Sequence, residues 1–213
     1  MQTDEIALLM LASGASSRFE DGDKLLAPLN GQPVISHVAR AVDGMQVTAQ
    51  FAVVGPQDSG RHAILKDAGW HPLINPNPAA GLASSLAIGV SKVMADTQAK
   101  AVVILLADMP FVPKAHICQL ARACTGTTQA VMSMVGARLS PPALFTRTVF
   151  DRMICLKGDR GARQLFDGLE DKAVVPLATQ HAIDIDTIEE LSTATTIAER
   201  SDNQRLDVAP SKD

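Results

Sequence analysis

Residues 6–26 read I-A-L-L-M-L-A-S-G-A-S-S-R-F-E-D-G-D-K-L-L. The first seven are apolar without alternation, the pattern of a strand covered on both faces. The strand then opens into small residues, Ser13-Gly14-Ala15-Ser16-Ser17, past which a bound anion can approach backbone N–H groups closely. Arg18 and Lys24 bring fixed positive charge to the same loop. Small residues and two cations at a strand exit suit the phosphates of a nucleotide. The loop is not a Walker loop, since no G-K-[ST] triplet opens a helix, and it lacks the G-x-G-x-x-G dinucleotide fingerprint. The alternative is an ordinary strand–loop connection carrying two solvated basic residues.

Outward from this stretch, apolar runs alternate with helical spacing. Val34, Ile35, Val38, Ala41 and Val42 predict an amphipathic helix ending near Gly44. Strands are predicted over 50–54 and 71–74, a short helix over 64–68, and a longer helix over 82–94. Residues 101–107, almost continuous in Val, Ile and Leu, read as a central parallel strand, and 113–124 as the helix after it. This β-α-β-α rhythm predicts a single doubly wound, mostly parallel sheet with helices on both faces, a Rossmann-like arrangement. Beyond residue 125 the sequence predicts a strand at 129–135, a short extended piece at 141–145 that its prolines confine to an edge or entrance, helices at 146–153 and 162–169, and a strand at 173–177. A last helix spans 187–199 with Thr187 as its cap. One domain, 1–199, is followed by a flexible tail, 200–213.

Composition narrows the function classes. The 213 residues carry a formal net charge of −4 with 46% apolar and 20% charged residues, which fits a globular protein and argues against nucleic acid as partner. An acidic chain repels free nucleotide, so binding needs local basic groups and a divalent cation. No apolar run approaches the about 18 residues of a membrane span, and Gln2-Thr3-Asp4-Glu5 lacks the basic start of a signal peptide. Cys118, Cys124 and Cys155 show no metal or disulfide spacing. A cytoplasmic location follows.

In an open parallel sheet, ligands bind beyond the carboxyl ends of the strands. The loop of residues 11–24, the segment 75–81 and Asp108 all fall at such ends. Asp108 follows an aliphatic strand and suits a hard-oxygen ligand for Mg²⁺ on phosphates; the competing reading is an Asx cap of the next turn. Asp184 and Asp186 flank Ile185 and share a side if the segment is extended, or one of them caps the final helix. Gly81, Ser84 and Ser85 open a helix whose N–H groups and hydroxyls can hold a base, ribose or phosphate. The stretch K-G-D-R-G-A-R over 157–163 offers Arg160 or Arg163 to a phosphate, or is a charged surface helix start.

Taken together, L-A-x-G-x-S-x-R with K-L-L, P-L-x-G-x-P-V-I from Pro28, N-P-x-x-x-x-G-L-A-S-S-L from Asn75, L-L-A-D-M-P from Leu105, P-P-A-L-F from Pro141, L-K-G-D-R-G-A-R from Leu156 and D-I-D-T from Asp184 resemble the MobA-like nucleotidyltransferases, over roughly residues 5–198. Within them the likeness is to the MocA type, the molybdenum cofactor cytidylyltransferases. The resemblance implies transfer of a nucleotidyl group from CTP, or another NTP, to a molybdopterin-type acceptor with release of pyrophosphate, and a client molybdoenzyme. It implies Arg18, Lys24 and Asp108 as catalytic residues, and nucleotide contacts from Leu11, Ala12, Ser13, Gly14, Asn75, Gly81, Ser84 and Ser85. Asn75 is implied to read the base or ribose. Acceptor contacts are implied at Pro142, Gly158, Asp159 and Arg163, and Mg²⁺ on Asp108 and Asp186.

Three departures bear on specificity. Guanylyl-transferring relatives tend to carry L-A-G-G and cytidylyl ones L-A-A-G; Ser13 stands in the variable place, leans toward CTP and leaves the base open. Ser17-Arg18-Phe19-Glu20-Asp21-Gly22 replaces the usual R-M-G, and Arg138-Leu139-Ser140 replaces a Gly-rich stretch before Pro141. Two alternatives remain: a cytidylyltransferase acting on another phosphorylated small molecule, and a non-catalytic molybdenum cofactor carrier.

Overall fold

The computed structural model describes residues 1–16, 18–19, 22–158 and 161–206. In chain order its elements are β1 (Ile6–Ala12), a hairpin of β2 (Pro28–Leu29) and β3 (Gln32–Pro33), α1 (Val34–Arg40), β4 (Ala49–Val54), α2 (Ser59–Asp67), β5 (His71–Ile74), α3 (Leu82–Asp96), β6 (Ala101–Leu106), α4 (Lys114–Ala123), β7 (Ala130–Val135), β8 (Arg138–Thr146), α5 (Phe150–Ile154), α6 (Gly161–Asp167), β9 (Lys172–Pro176) and α7 (Ile188–Leu206).

A seven-stranded sheet runs β5-β4-β1-β6-β8-β7-β9. All neighbours pair in parallel except at β8, which is antiparallel to both β6 and β7. The expected doubly wound, mostly parallel sheet is therefore the observed one. Its middle strand is β6, and beside it lies β1, every residue of which is buried. Alternate residues of a strand face opposite sides: Ile6, Leu8 and Met10 join the core with α1, α2, α4 and α7, whereas Ala7, Leu9 and Leu11 join α3, α5 and α6. Helix α3 lies so close to β1 that a Cβ on Gly89 would stand 2.3 Å from Leu9 Cδ1. The chain winds outward from β1 through β4 to β5, and then returns to β1's other side as β6. That reversal opens a crevice at the carboxyl ends of β1 and β6.

Three expectations are corrected. Helix α2 begins at Ser59 rather than near Ile64; its first turn is polar and carries no apolar spacing for a sequence reading to detect. The stretch 141–145 is not an edge but part of β8, an interior strand. Prolines fit there because the β7–β8 register jumps at a bulge, from Met132↔Ala143 to Ser133↔Ser140, while β6 pairs only with Ala143–Thr146. Pro141 and Pro142 thus fall where no ladder bond requires an N–H. Finally, α7 continues to Leu206, beyond the helix end expected at 199; residues 207–213 lie outside the described residues.

Candidate functional site: carboxylates and cations at the strand ends

The first of the converging side chains comes from β6. Ala107 N–H donates to the carbonyl of Leu11, which carries the β1–β6 pairing past the strand end, and Met109 N–H closes a turn on Leu106. Asp108 sits at the crest of that turn. Its own carbonyl accepts the N–H of Ile185 (3.0 Å), which brings the D-I-D-T segment alongside. Ile185 is fully buried. Thr187 accepts from the N–H of Glu190, and Glu190 accepts from the N–H of both Thr187 and Asp186, a capping box at the start of α7. Thr187 is the cap, as the sequence predicts, so neither aspartate is needed for it.

Lys24 Nζ lies 2.7 Å from Asp108 Oδ2 and 2.6 Å from Asp186 Oδ1. Arg18 reaches the other oxygen of Asp186 at 2.7 Å. The Lys24 side chain is only 11% exposed, whereas that of Arg18 is 73% exposed. Burial opposes the charge on Lys24, but the two carboxylates outweigh it and hold its pKa above the usual lysine value. Burial likewise opposes ionisation of Asp186, and Lys24 and Arg18 outweigh it, keeping that carboxyl below its usual range. Among the described residues, Asp108 Oδ1 is buried without a hydrogen-bond partner. Asp184 is exposed and takes no part in these ion pairs.

Behind this group runs a second, uncharged network. Ser13 Oγ and Ser85 Oγ are 2.6 Å apart. Asn75 Nδ2 donates to Ser84 Oγ (2.8 Å) and Ser85 Oγ (3.0 Å), while its Oδ1 accepts from the N–H of Asn77. Ser84 Oγ donates to the carbonyl of Gly81, whose φ of +88° suits glycine. Asn75, implied to read base or ribose, is 1% exposed with both ends of its amide engaged. It ties the β5 exit to the first turn of α3.

Of the implied acceptor residues that are described, Arg163 lines an apolar cavity of about 520 Å³ between α3, α6 and the sheet, whereas Pro142 and Gly158 do not. Leu11 belongs to its wall, Leu86, Ile104 and Met132 form its floor, and Arg163, Gln164 and Asp167 bring polar groups to its rim. Pro142 is buried, and its carbonyl takes a hydrogen bond from Ser133 Oγ; its neighbours Pro141 and Ala143 line the cavity instead. Gly158 accepts from the N–H of Ala83 (3.2 Å) and so anchors its loop to α3. Asp159 and Arg160 lie outside the described residues, as do Ser17, Glu20 and Asp21.

Sequence reading missed one charged group altogether. Arg61, from α2, is 3% exposed and lies against the loop after β1. It pairs with Asp23 and Asp58 and lines a polar crevice of about 380 Å³ between residues 13–16 and 22–23 on one side and 55–58 on the other. The available signal was Asp23 itself, an acid inside a loop that otherwise suits an anion.

No group of three or more His, Cys, Asp or Glu side chains that could hold a metal occurs among the described residues. Nor is any described helix long and apolar enough to cross a membrane.

The comparisons agree with this architecture. The purine catabolism protein PucB of Bacillus subtilis (strain 168) is 28% identical over 200 residues, covering 89% of this chain and 94% of that protein. Rv0371c from Mycobacterium tuberculosis H37Rv, solved in complex with manganese, has a TM-score of 0.72 at 22% identity, covering 90% of this chain and 98% of its own. A nucleotidyl transferase of Methanothermobacter, Mth528, has a TM-score of 0.76 at 21% identity, covering 92% and 98%; both of these are likenesses of fold. The model of the MobA-like NTP transferase domain matches residues 8–180, from within β1 to beyond β9, and the chain that places Lys24 between Asp108 and Asp186 at those strand ends belongs to that family of nucleotidyltransferases.

Proposed function

We propose that the protein transfers CMP from CTP to the terminal phosphate of a molybdopterin-type acceptor, releases pyrophosphate, and serves a client molybdoenzyme. The observation that carries this reading is the Lys24 bridge between Asp108 and Asp186, with Asp108 Oδ1 left buried and unpartnered. Two carboxylates with one free oxygen fit Mg²⁺, which is commonly held by one or two carboxylates together with substrate phosphates and water. Asp108 and Asp186 would hold the ion, and when bound it would supply charge neutralisation and orientation of the triphosphate.

The remaining work falls to this chain's own side chains. An acceptor phosphate oxygen attacks the α-phosphorus of CTP, the bond from that phosphorus to the β-phosphate oxygen breaks, and pyrophosphate leaves with the electron pair. A phosphate monoester is already anionic at neutral pH, so no strong general base is required. Charge is the main difficulty, because two polyanions must meet. Lys24 and Arg18 exchange carboxylate for phosphate oxygens and stabilise the negative charge that builds on the leaving group. The Asn75–Ser85–Ser13 network holds the loop and the first turn of α3 in register, which positions the triphosphate for in-line attack. Arg163, Gln164 and Asp167 hydrogen-bond the ring system of the acceptor over the apolar floor of the cavity. The three free thiols suit a reducing, cytoplasmic setting.

The test is Mg²⁺-dependent binding of CTP, GTP, ATP and UTP by titration calorimetry, followed by pyrophosphate release with molybdopterin as acceptor. CTP preference with acceptor-dependent release supports the reading. GTP preference moves the protein to the guanylyl branch. Release with a sugar-alcohol phosphate in place of molybdopterin reassigns the acceptor, and a folded protein that binds no nucleotide but retains molybdopterin is a carrier.

A further inference from the structure

Arg61 is placed at a cost that a surface helix does not require. Withdrawing a guanidinium from water costs several kcal/mol unless it is paired and hydrogen-bonded throughout, and here it is. Nε and Nη2 grip the two oxygens of Asp23 at 2.7 Å each, a bidentate pair. Nη1 donates to the carbonyls of Ala12 (2.7 Å) and Gly14 (3.0 Å) and lies 3.1 Å from Asp58 Oδ2. Nη2 also lies 3.4 Å from Ser16 Oγ. Asp58 in turn accepts the N–H of Gly55, so the clasp joins the β1 exit loop to the β4 exit loop. Among the described residues the Arg61 guanidinium bonds to none of the Lys24, Asp108 and Asp186 side chains, although Ser16 Oγ also accepts the N–H of Lys24 (3.3 Å).

The consequence lies in the peptide planes. In a trans peptide unit the C=O and the following N–H point in opposite directions. With the carbonyls of Ala12 and Gly14 turned onto Arg61, the N–H groups of Ser13 and Ala15 are turned away from it. Among the described residues no backbone acceptor takes either N–H outside the sheet ladders. Two N–H groups aimed the same way by alternate peptide units make a recess for an oxygen anion or a carbonyl.

We propose that Arg61, with Asp23, is the positioning residue of the nucleotide site: its grip on the Ala12 and Gly14 carbonyls aims the N–H groups of Ser13 and Ala15 at oxygen atoms of the bound nucleoside triphosphate. The inference rests on the nucleotide-binding reading above. Arg61 itself stays behind the loop and contacts no substrate.

The experiment compares wild type, Arg61→Lys and the double variant Arg61→Gln/Asp23→Asn, using CTP, GTP, ATP and UTP with Mg²⁺. Lysine keeps the charge but loses the planar fork; the double variant removes both charges of the bidentate pair and so guards against a folding failure of a single change. Each variant is expected to raise the KM and Kd for the preferred nucleotide at least tenfold, with the loss much smaller in kcat at saturating nucleotide and with the acceptor KM within twofold of wild type. Loop amides of residues 13–16 should exchange hydrogen faster in the nucleotide-free variants. A folded double variant with nucleotide KM within twofold of wild type overturns the role of Arg61, as does an equal fall in kcat and stability with KM unchanged. A folded wild type that binds no nucleotide overturns the functional reading itself, and the positioning role falls with it.

Discussion

Two clusters, each of one cation and two carboxylates, draw on adjacent residues of the loop after β1, Asp23 and Lys24, and they are built to different ends. Lys24 with Asp108 and Asp186 has an unpartnered buried oxygen and an exposed arginine reaching in from solvent. Arg61 with Asp23 and Asp58 has its carboxylates and two backbone carbonyls all engaged on one fork. A compact, rotatable ammonium can trade one oxygen for another; a planar fork holding several partners at once cannot shift without releasing all of them. The first cluster is therefore suited to exchange partners with a ligand, and the second to hold the loop that meets it.

The largest expected effect separates the two at once. Asp108→Asn keeps the shape of the turn but removes the charge that faces the free position. Turnover should fall by about 10³-fold, the scale seen when one well-placed electrostatic group is lost. The thermal midpoint should move little, since Lys24 keeps Asp186. Steady-state pyrophosphate release and a melting curve on the same sample check both halves. Turnover within tenfold of wild type would mean that the Lys24 cluster is structural after all.

Next comes the converse change. Asp23→Asn leaves Arg61 buried with half of its bidentate pair neutralised, and a broken buried ion pair is expensive. Because the Asp23 side chain keeps 26% of its exposure, the expected loss is below the full buried-pair range, about 2 kcal/mol. For a chain of this size that is a drop of about 4–8 °C in the thermal midpoint. Calorimetric melting checks it; an unchanged midpoint would mean that the clasp contributes nothing to the fold.

Acid sharpens the same comparison with a smaller effect. Burial pushes the Asp23 carboxyl up, but its bonds to Arg61 outweigh this and hold it below its ordinary 3.8. A depressed folded pKa gives stability that is complete above the unfolded value and is lost as pH falls through the folded one. The midpoint of wild type should therefore be flat down to about pH 4 on this account and fall below it, while Asp23→Asn should fall less steeply over that interval. Equal slopes would remove Asp23 from the linkage.

How much of this was legible beforehand follows the kind of signal each part leaves. The strand at residues 6–12, the small-residue loop, Asp108 and the Thr187 cap each depend on neighbours a few positions away, and sequence carries that information directly. The Arg61 clasp depends on a partner 38 positions distant, and its helix opens with Ser59-Gly60-Arg61-His62, where no apolar spacing betrays a buried face. The interior place of β8 was hidden by two prolines whose lack of N–H groups is harmless only because they form the bulge of β8 against β7. The apolar cavity escaped notice because Leu86, Ile104 and Met132 read as ordinary core; whether such residues meet or leave a gap is set by the distance between α6 and the sheet.

The smallest expected effect concerns the residue on which base choice leaned. Ser13 Oγ is 2.6 Å from Ser85 Oγ, and Ser13 is only 9% exposed. A hydroxyl held in that way serves the network behind the loop before it serves a ligand. Ser13→Ala, which restores the L-A-A-G pattern, removes one bond between buried serines, while Ser85 keeps Asn75. The net cost of losing one such bond is about 1 kcal/mol, and nucleotide affinity should change by no more than about threefold, a free-energy difference below that cost. The ranking of the four nucleoside triphosphates should stay as it is in wild type. A tenfold change for one base alone would show that the Ser13 hydroxyl leaves Ser85 to meet the base, and would transfer Ser13 from the holding network to the contact surface.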